Sequence, residues 1–516
     1  MKADSEIVKL MNSFCNVLIS MERNGITINR EELDKLETEY TNELNTLERD
    51  LEALARNALG DTPFNLSSND DLSKLIFSRV PINKQEWAKA FNLGTELTVT
   101  GARKPKRPFD LSNKQIVDNI KNLSTWAHKT KAYQCRICMG SGRVAKLLKS
   151  GKYGKASHKC SSCNGVGIIY SRLQDIAGFK QLPSSVHDFA VHGYKCNKTK
   201  LEYLARKAQG DAKQFLTKMV RYNAVSHYLS SFIKGIRGNV GGDGVLHTQF
   251  MQCVTATGRL SSRSPNFHNQ PRGGTFPIRR VVISRWDGGN IVEADYAQLE
   301  FRVAAGLAKD NTAKQDIING VDVHQFTADI LTSAGQPTSR QDAKTHTFKP
   351  LYGGLSGTKA EKTYYKSFLI KYDGIRDWHI KLLNIIDKFK TLILPSGRRY
   401  TFPTGVAENR TKIKNYPVQG FATADIVPLA TVLLDKLYKK HKLKSLIINE
   451  VHDSIVTDAY PGEEEFVADL KVEAMLGVIP ELKRRFNYDL EVPLEVEVKC
   501  GKNWLDMEVI KTGGSV

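Results

Sequence analysis

Two aspartates and a run of cations and aromatics in this chain have the spacing of phosphate chemistry. Asp453 lies in NEVHDSIVTD (449–458), where Val451, Ile455 and Val456 have the β-branched, apolar character of a buried strand. A charged carboxylate in such a place is costly unless something compensates it. Asp295 closes a second apolar run, IVEADY, just before the helix-like AQLEFRVAAGLA. Two strands that each carry one aspartate can lie side by side, and the carboxylates then repel unless cations lie between them. Mg²⁺ suits that position because it takes hard oxygen ligands and pairs with phosphates. Two such ions about 3.5–4 Å apart can activate an attacking hydroxyl and stabilise a leaving phosphate oxygen. In RQDAKTHTFKPLYG (340–353), Arg340, Lys344, Phe348 and Tyr352 are four apart and would form one continuous ridge on a helix. Two cations followed by two aromatics suit a nucleoside triphosphate, with the cations on the phosphates and an aromatic on the base or sugar. A solvated cationic face above two core aromatics is the plainer reading.

A second chemistry is written in the cysteines. CRICMGSG (135–142) and CSSCNGVG (160–167) repeat one pattern, CxxCxGxG. Two thiolates three residues apart can bind one ion while the glycines let the backbone fold around the sulfurs. Two such knuckles supply Cys135, Cys138, Cys160 and Cys163 to a closed tetrahedral Zn²⁺ site, structural and not catalytic. The repeat is similar, locally, to the zinc module of J-domain co-chaperones. From 131 to 160 Lys and Arg recur with no Asp or Glu, which suits phosphate contact as well as it suits a solvated face.

The elements that must position these groups are of mixed type. Ile7, Leu10, Met11, Phe14, Val17, Leu18 and Met21 recur at helical steps, and a second amphipathic run reaches Leu59 after RNGITIN interrupts the pattern, which predicts an antiparallel helix pair. Residues 81–195 have weak periodicity and read as an insertion. Helix resumes over 198–236, strands and turns mix with helices from 245, and LEVEVKCG alternates like a half-buried strand. The net charge of +20, from 75 Lys+Arg against 55 Asp+Glu, favours a polyanionic partner, nucleic acid before an acidic membrane face. The length suggests about two to four core-forming units. We read no apolar run long enough to span a bilayer, which needs about 20 residues. MKADSEIVKL lacks the order of a secretion signal. With cysteines in metal-site spacing, these features predict a reducing, cytoplasmic setting and no membrane partner.

The carrying motifs resemble those of the family A DNA polymerases. DYAQLEFR looks like their motif A, R-x3-K-x3-F-x3-YG like motif B, and VHDS like motif C. TATGRLSSRSPNFHNQP (255–271) resembles their primer-terminus segment, NYPVQGFATADI (415–426) a helix near the template, and FNLSSNDDLSKLIF (64–77) their thumb. All occur in the family's order. The resemblance implies an α+β right-hand polymerase with an antiparallel-sheet palm, helical fingers and a helical thumb, plus a small zinc-binding insert. Its divisions would be thumb at 1–80 and 198–250, a thumb insertion at 81–197 with the zinc module at 133–170, palm at 251–310 and 405–516, and fingers at 311–404.

It also implies roles. Asp295 and Asp453, with the backbone carbonyl of Tyr296, would hold two catalytic Mg²⁺ ions. Arg340, Lys344 and His324 would bind phosphates, and Lys344 would also protonate the leaving pyrophosphate. Phe348 would pack against the incoming sugar and base, and Tyr352 would stack near the templating base. Glu300 matches the gate that crowds a ribose 2′-hydroxyl. Arg259, Asn266, Asn269, Gln298, Asn415, Gln419 and His452 match minor-groove, template or primer contacts, with Gln298 also in the nucleotide site. The implied partners are primer–template DNA and dNTPs, a separate exonuclease or processivity subunit, and no second copy of the chain. The implied reaction is DNA synthesis in phage replication, in the cytoplasm of a bacterial host. Translesion or gap-filling repair is the same chemistry in another job. A single-subunit RNA polymerase is the nearest rival, and Glu300 and Phe348 argue against it.

Three departures stand out. Ser454 replaces the Glu usual in motif C, and Glu450 stands where Gln is usual, so Glu450 is a candidate for the missing acid. Pro350 falls inside the motif B helix and predicts a kink. The thumb-like segment begins almost at Met1, which leads us to expect no 3′→5′ exonuclease domain and no proofreading.

Overall fold

A computed structural model describes residues 2–60, 64–97, 103–105, 111–147, 153–163, 165, 167–183 and 188–514. The candidate insertion's GARKPKRPFD run lies largely outside them. The chain divides into two compact units, one of residues 1–36 and 231–516, the other of residues 37–230.

In the first unit, helix α1 (Lys2–Asn24) turns its apolar stripe inward, burying Leu10, Phe14, Val17, Leu18 and Met21. Burial of side chains of this size contributes roughly 1.5–3 kcal/mol each. Gly25 ends the helix at φ +65°, its N–H donating to Met21 O at 3.0 Å. A Cβ there would stand 2.5 Å from Val245 Cγ1, so no other residue fits without a shift. Five antiparallel strands form the central sheet: β1 (Asn290–Tyr296), β2 (Leu446–Val451), β3 (Ser454–Ala459), β4 (Glu495–Gly501) and β5 (Glu508–Gly514), in the order β2-β3-β1-β4-β5. The antiparallel sheet and the alternation of LEVEVKCG agree with the sequence reading.

Helices line this frame in chain order: α2 (Leu299–Ala308), α3 (Val323–Ser333), α4 (Arg340–Thr347), α5 (Val406–Gly420), α6 (Val427–His441) and α7 (Glu464–Leu476). One face of the sheet packs on α6 and α7. There Tyr296 Oη donates to Met475 O, 2.6 Å away, and Tyr438 Oη meets Thr457 Oγ1 at 3.0 Å. Helix α1 packs on α6 and β2.

The run Val406–His441, in which a π-helical turn (Phe421–Ile426) joins α5 to α6, is long and apolar enough to cross a membrane, contrary to our reading. Its apolar window is 89% buried inside the protein, so this is a core helix, apolar because protein surrounds it.

In the second unit the helices Asn69–Phe77, Lys84–Ala90, Lys198–Lys207 and Gly210–His227 share one core. Ser68 caps the first, its Oγ accepting from Asp71 N. Trp87, Phe91, Phe189 and Tyr194 are buried together, Phe91 and Phe189 stacked with centroids 3.8 Å apart. The ends of the segment 81–197 are thus built into the same core as the flanking helices. Trp87 and Phe91 are one helical step apart, but Phe189 and Tyr194 come from far along the chain, so no single period joins the four. Two ribbons, His128–Gln134 with Ile168–Ile176 and Arg143–Leu147 with Tyr153–Lys159, carry the cysteine knuckles.

Candidate active site

Strands β2 and β3 form a hairpin closed by only two residues, His452 and Asp453, with Val451 opposite Ser454. His452 adopts φ +59°, the left-handed state that a two-residue hairpin demands. Asp453 therefore lies in a turn, not within a strand; the apolar signal around it comes from the two flanking strands. Ser454 is the register partner of Asp295 on β1, and Tyr296 N donates to Asp453 O at 3.2 Å. This brings the two carboxyl groups within hydrogen-bonding reach. Burial first, then the like charge of Asp453, pushes the Asp295 carboxyl well above the usual carboxylate range. Asp295 Oδ1 is buried and has no hydrogen-bond partner. A desolvated, unpartnered oxygen beside a second carboxylate is what a hard divalent cation compensates, so the pair fits Mg²⁺.

Glu450 is not part of this cluster. It pairs with Ile455 across the hairpin and faces α6, where its Oε2 lies 2.5 Å from Thr431 Oγ1. It is fully enclosed, and burial pushes its carboxyl up to about 8. The idea that it supplies the missing acid fails on geometry: the turn does intervene, but residue 450 still points to the opposite face of the sheet.

Glu300, in the first turn of α2, takes the Arg259 guanidinium on one oxygen and the Tyr352 hydroxyl on the other. Arg259 Nε also donates to Thr423 Oγ1 at 2.9 Å, and that hydroxyl donates to Gln419 O at 2.7 Å. The π-helical turn thus presents Thr423 to the site; such turns recur at functional positions. Gln298 precedes α2 in the left-handed conformation and is exposed.

The motif B ridge is not continuous. α4 ends at Thr347, Phe348 follows it, and Pro350–Tyr352 form a separate 3₁₀ turn. Pro350 has no N–H to give and would crowd the His346 carbonyl, so the helix stops where a kink was expected. Arg340, Lys344 and Phe348 still gather around His324, whereas Tyr352 reaches Glu300. Phe348 lies 5.6 Å from the Phe301 ring and 5.5 Å from the His324 ring. His324 Nδ1 is 3.0 Å from Thr347 Oγ1, and Arg340 Nε is 2.5 Å from Asp322 Oδ2. Burial lowers the His324 pKa, and the charges of Arg340 and Lys344 lower it further.

Asn415 and Gln419 are half-buried one turn apart on α5, and His452 is exposed on the hairpin turn. Asn266 and Asn269 are exposed; Asn266 Oδ1 accepts from His268 N at 3.0 Å, ordinary turn duty. Sequence reasoning missed Arg272, whose charge acts on both Asp295 and His452, and Glu293 with Arg279 beside it. Glu293 could have been found, since two residues before Asp295 on a strand is the same face.

In the second unit, Cys135 and Cys160 have their sulfurs 3.9 Å apart, Cys138 and Cys163 3.6 Å, and all four lie within 4.8 Å. Tetrahedral zinc at about 2.3 Å from each sulfur needs S···S separations of about 3.8 Å, so the cluster fits. Gly142 N and Gly167 N donate to Cys138 and Cys163 Sγ at 3.3 and 3.1 Å. Each of these glycines has positive φ, and a Cβ on either would strike the other knuckle's backbone.

The sequence profile of DNA polymerase family A matches residues 171–506. The chain belongs to that family. Among its relatives, DNA polymerase I of Deinococcus radiodurans is 33% identical over 286 residues, 51% of this chain and 28% of that protein. The thermostable DNA polymerase I of Thermus aquaticus is 32% identical over 319 residues, 57% of this chain and 37% of that one. The DNA polymerase I of Mycobacterium leprae is 29% identical over 320 residues, 56% and 33% of the two chains. The match thus spans about a third of the length of these curated relatives. The polymerase domain of Pol1 from M. smegmatis, solved in complex with DNA primer-template and dNTP, matches with a TM-score of 0.65 at 21% identity, over 96% of this chain and 70% of that one, a likeness of fold. Asp295, Glu300, Arg340, Lys344 and Asp453 all fall inside the family A span, whereas Cys135, Cys138, Cys160 and Cys163 fall before it.

Proposed function

We propose that this chain is a template-directed DNA polymerase that extends a primer 3′-hydroxyl with dNTPs and releases pyrophosphate. The observation that carries the reading is the meeting of Asp295 and Asp453, one carboxylate oxygen buried without a partner. These two residues and the Tyr296 carbonyl would hold Mg²⁺, which when bound supplies charge neutralisation and activation of the attacking hydroxyl. His324, Arg340 and Lys344 would seat the triphosphate, and Lys344 would donate the proton to the departing pyrophosphate. Phe348, packed on Phe301, would face the sugar and base. Glu300, pinned by Arg259 and Tyr352, would reject a 2′-hydroxyl by crowding it. Arg259, Gln298, Asn415, Gln419 and His452 would follow the primer and template.

On this reading the sheet unit holds palm and fingers, and the unit of residues 37–230 supplies most of the thumb. The four cysteines would hold one structural Zn²⁺, and the basic ribbons around them would touch DNA phosphates, with binding that falls steeply with salt. We further propose a phage replication role in a bacterial cytoplasm and synthesis without editing by these 516 residues. Primer extension by the purified chain with Mg²⁺ tests the reading: dNTPs support synthesis, rNTPs do so poorly, and Asp453→Asn abolishes it. Preferential use of rNTPs, or synthesis by Asp453→Asn, overturns it. Loss of label from a primer 3′ end overturns the non-editing part alone.

A further inference from the structure

We propose that Glu293 is a third acid of the divalent-metal site, standing in from β1 for the motif C acid whose position Ser454 occupies. Ser454 and Asp295 are register partners, so their side chains share one face of the sheet. Glu293, two residues before Asp295 on the same strand, shares that face too. Ser454 Oγ lies 2.9 Å from Glu293 Oε1 and 3.1 Å from Val451 O, and its one proton goes to the nearer, carboxylate acceptor. The residue that took the acid's place thus holds the acid that replaces it. Glu293 is buried, and its charge acts on Asp295.

A plain buried ion pair is the competing account, because Arg279 Nη1 lies 3.8 Å from the same Oε1. That separation is near the limit of a salt bridge. The guanidinium is also engaged elsewhere, with its carbon 4.0 Å from the Trp504 ring centroid. Lys471, fully buried, gives its Nζ to Ile455 O at 2.7 Å, and the Glu293 charge acts on it as it does on Arg279, so the competing account places Glu293 between two buried cations. Glu293 is a positioning residue here: it acts through the charge it adds beside Asp295, and Ser454 fixes where that charge sits. Groups that orient and charge the ligands of a metal typically alter its affinity about 10–100-fold when removed.

The inference rests on the polymerase reading, and its test separates the two. Mn²⁺ is titrated by electron paramagnetic resonance into the protein bound to a dideoxy-terminated primer–template and the next dNTP, where no turnover occurs. Glu293→Gln keeps the acceptor for Ser454 and loses the charge; Mn²⁺ affinity is expected to fall about tenfold or more. Ser454→Ala, which keeps the charge, loses less. The double variant Glu293→Ala/Ser454→Glu, with the acid moved to the motif C position, recovers affinity that Glu293→Ala loses. Wild-type affinity in Glu293→Gln, or a double variant no better than Glu293→Ala, overturns the inference while wild type still binds Mn²⁺ with dNTP. Should Glu293→Gln fold poorly, Ser454→Glu in the wild-type background decides: tighter Mn²⁺ binding supports an acid-accepting site, and unchanged binding overturns it. A wild type that neither binds Mn²⁺ with dNTP nor extends a primer overturns the polymerase reading instead.

Discussion

Glu450→Gln separates a buried structural acid from a metal-site acid. The carboxyl sits at about 8 in the folded protein against 4.5 in an open chain, raised by burial and partly offset by Thr431. Thr431 Oγ1 lies 3.0 Å from Val427 O and 2.5 Å from Glu450 Oε2, and one hydroxyl proton cannot serve both. A protonated Glu450 donates to Thr431 while Thr431 donates to Val427, and both contacts are satisfied. Because the folded state holds this proton more tightly, its contribution is complete below pH 4.5 and is lost as pH rises toward 8. Each pH unit in that window costs about 1.4 kcal/mol, a ceiling of about 5 kcal/mol overall, which local relaxation lowers. Glutamine has nearly the same shape and no charge to bury. Thermal midpoints of wild type and Glu450→Gln, followed from pH 4.5 to 9, are expected to lie close at the acid end and to diverge with rising pH, the variant being more stable. The Mg²⁺ dependence of primer extension is expected to stay unchanged. Parallel midpoint curves, or a shifted Mg²⁺ dependence, refute the placement of this residue.

Asp453→Asn is expected to lower the extension rate by at least about 10²–10³-fold while primer–template affinity, read by anisotropy, holds. Glu300→Ala frees the Arg259 guanidinium and the Tyr352 hydroxyl, and is expected to narrow the dNTP-to-rNTP ratio of kcat/KM by about 10–100-fold. Metal analysis of the purified chain should find one zinc per chain, and Cys138→Ser should lose it and open the 135–167 segment to limited proteolysis. Burial holds Lys471 at about 7, far below 10.5, so the cost of enclosing its charge is complete below pH 7 and fades as pH rises toward 10.5. Lys471→Met is therefore expected to stabilise the protein most at neutral pH, with its advantage shrinking by about 1.4 kcal/mol per unit above that.

The cysteine centre was legible in the sequence because its determinants are local: the sulfurs of a knuckle and the N–H that donates to one of them lie within eight positions, although the other knuckle's backbone is what excludes a side chain at Gly142 and Gly167. The apolar stripe of α1 and the alternation of β4 were legible for the same reason, since period follows from local geometry. Motif order pointed to Asp295, Asp453 and the cationic helix, and the structure brings the two aspartates together. The tertiary structure decided which faces meet. That Asp453 sits in a two-residue turn, that Glu450 points to α6, and that α1 packs on α6 and β2 all depend on which strands and helices meet. Pairing across a sheet turns a one-residue difference into a change of face. The sequence therefore showed that an acid was missing from motif C, and only the register of β3 on β1 showed where Glu293 stands in relation to that gap.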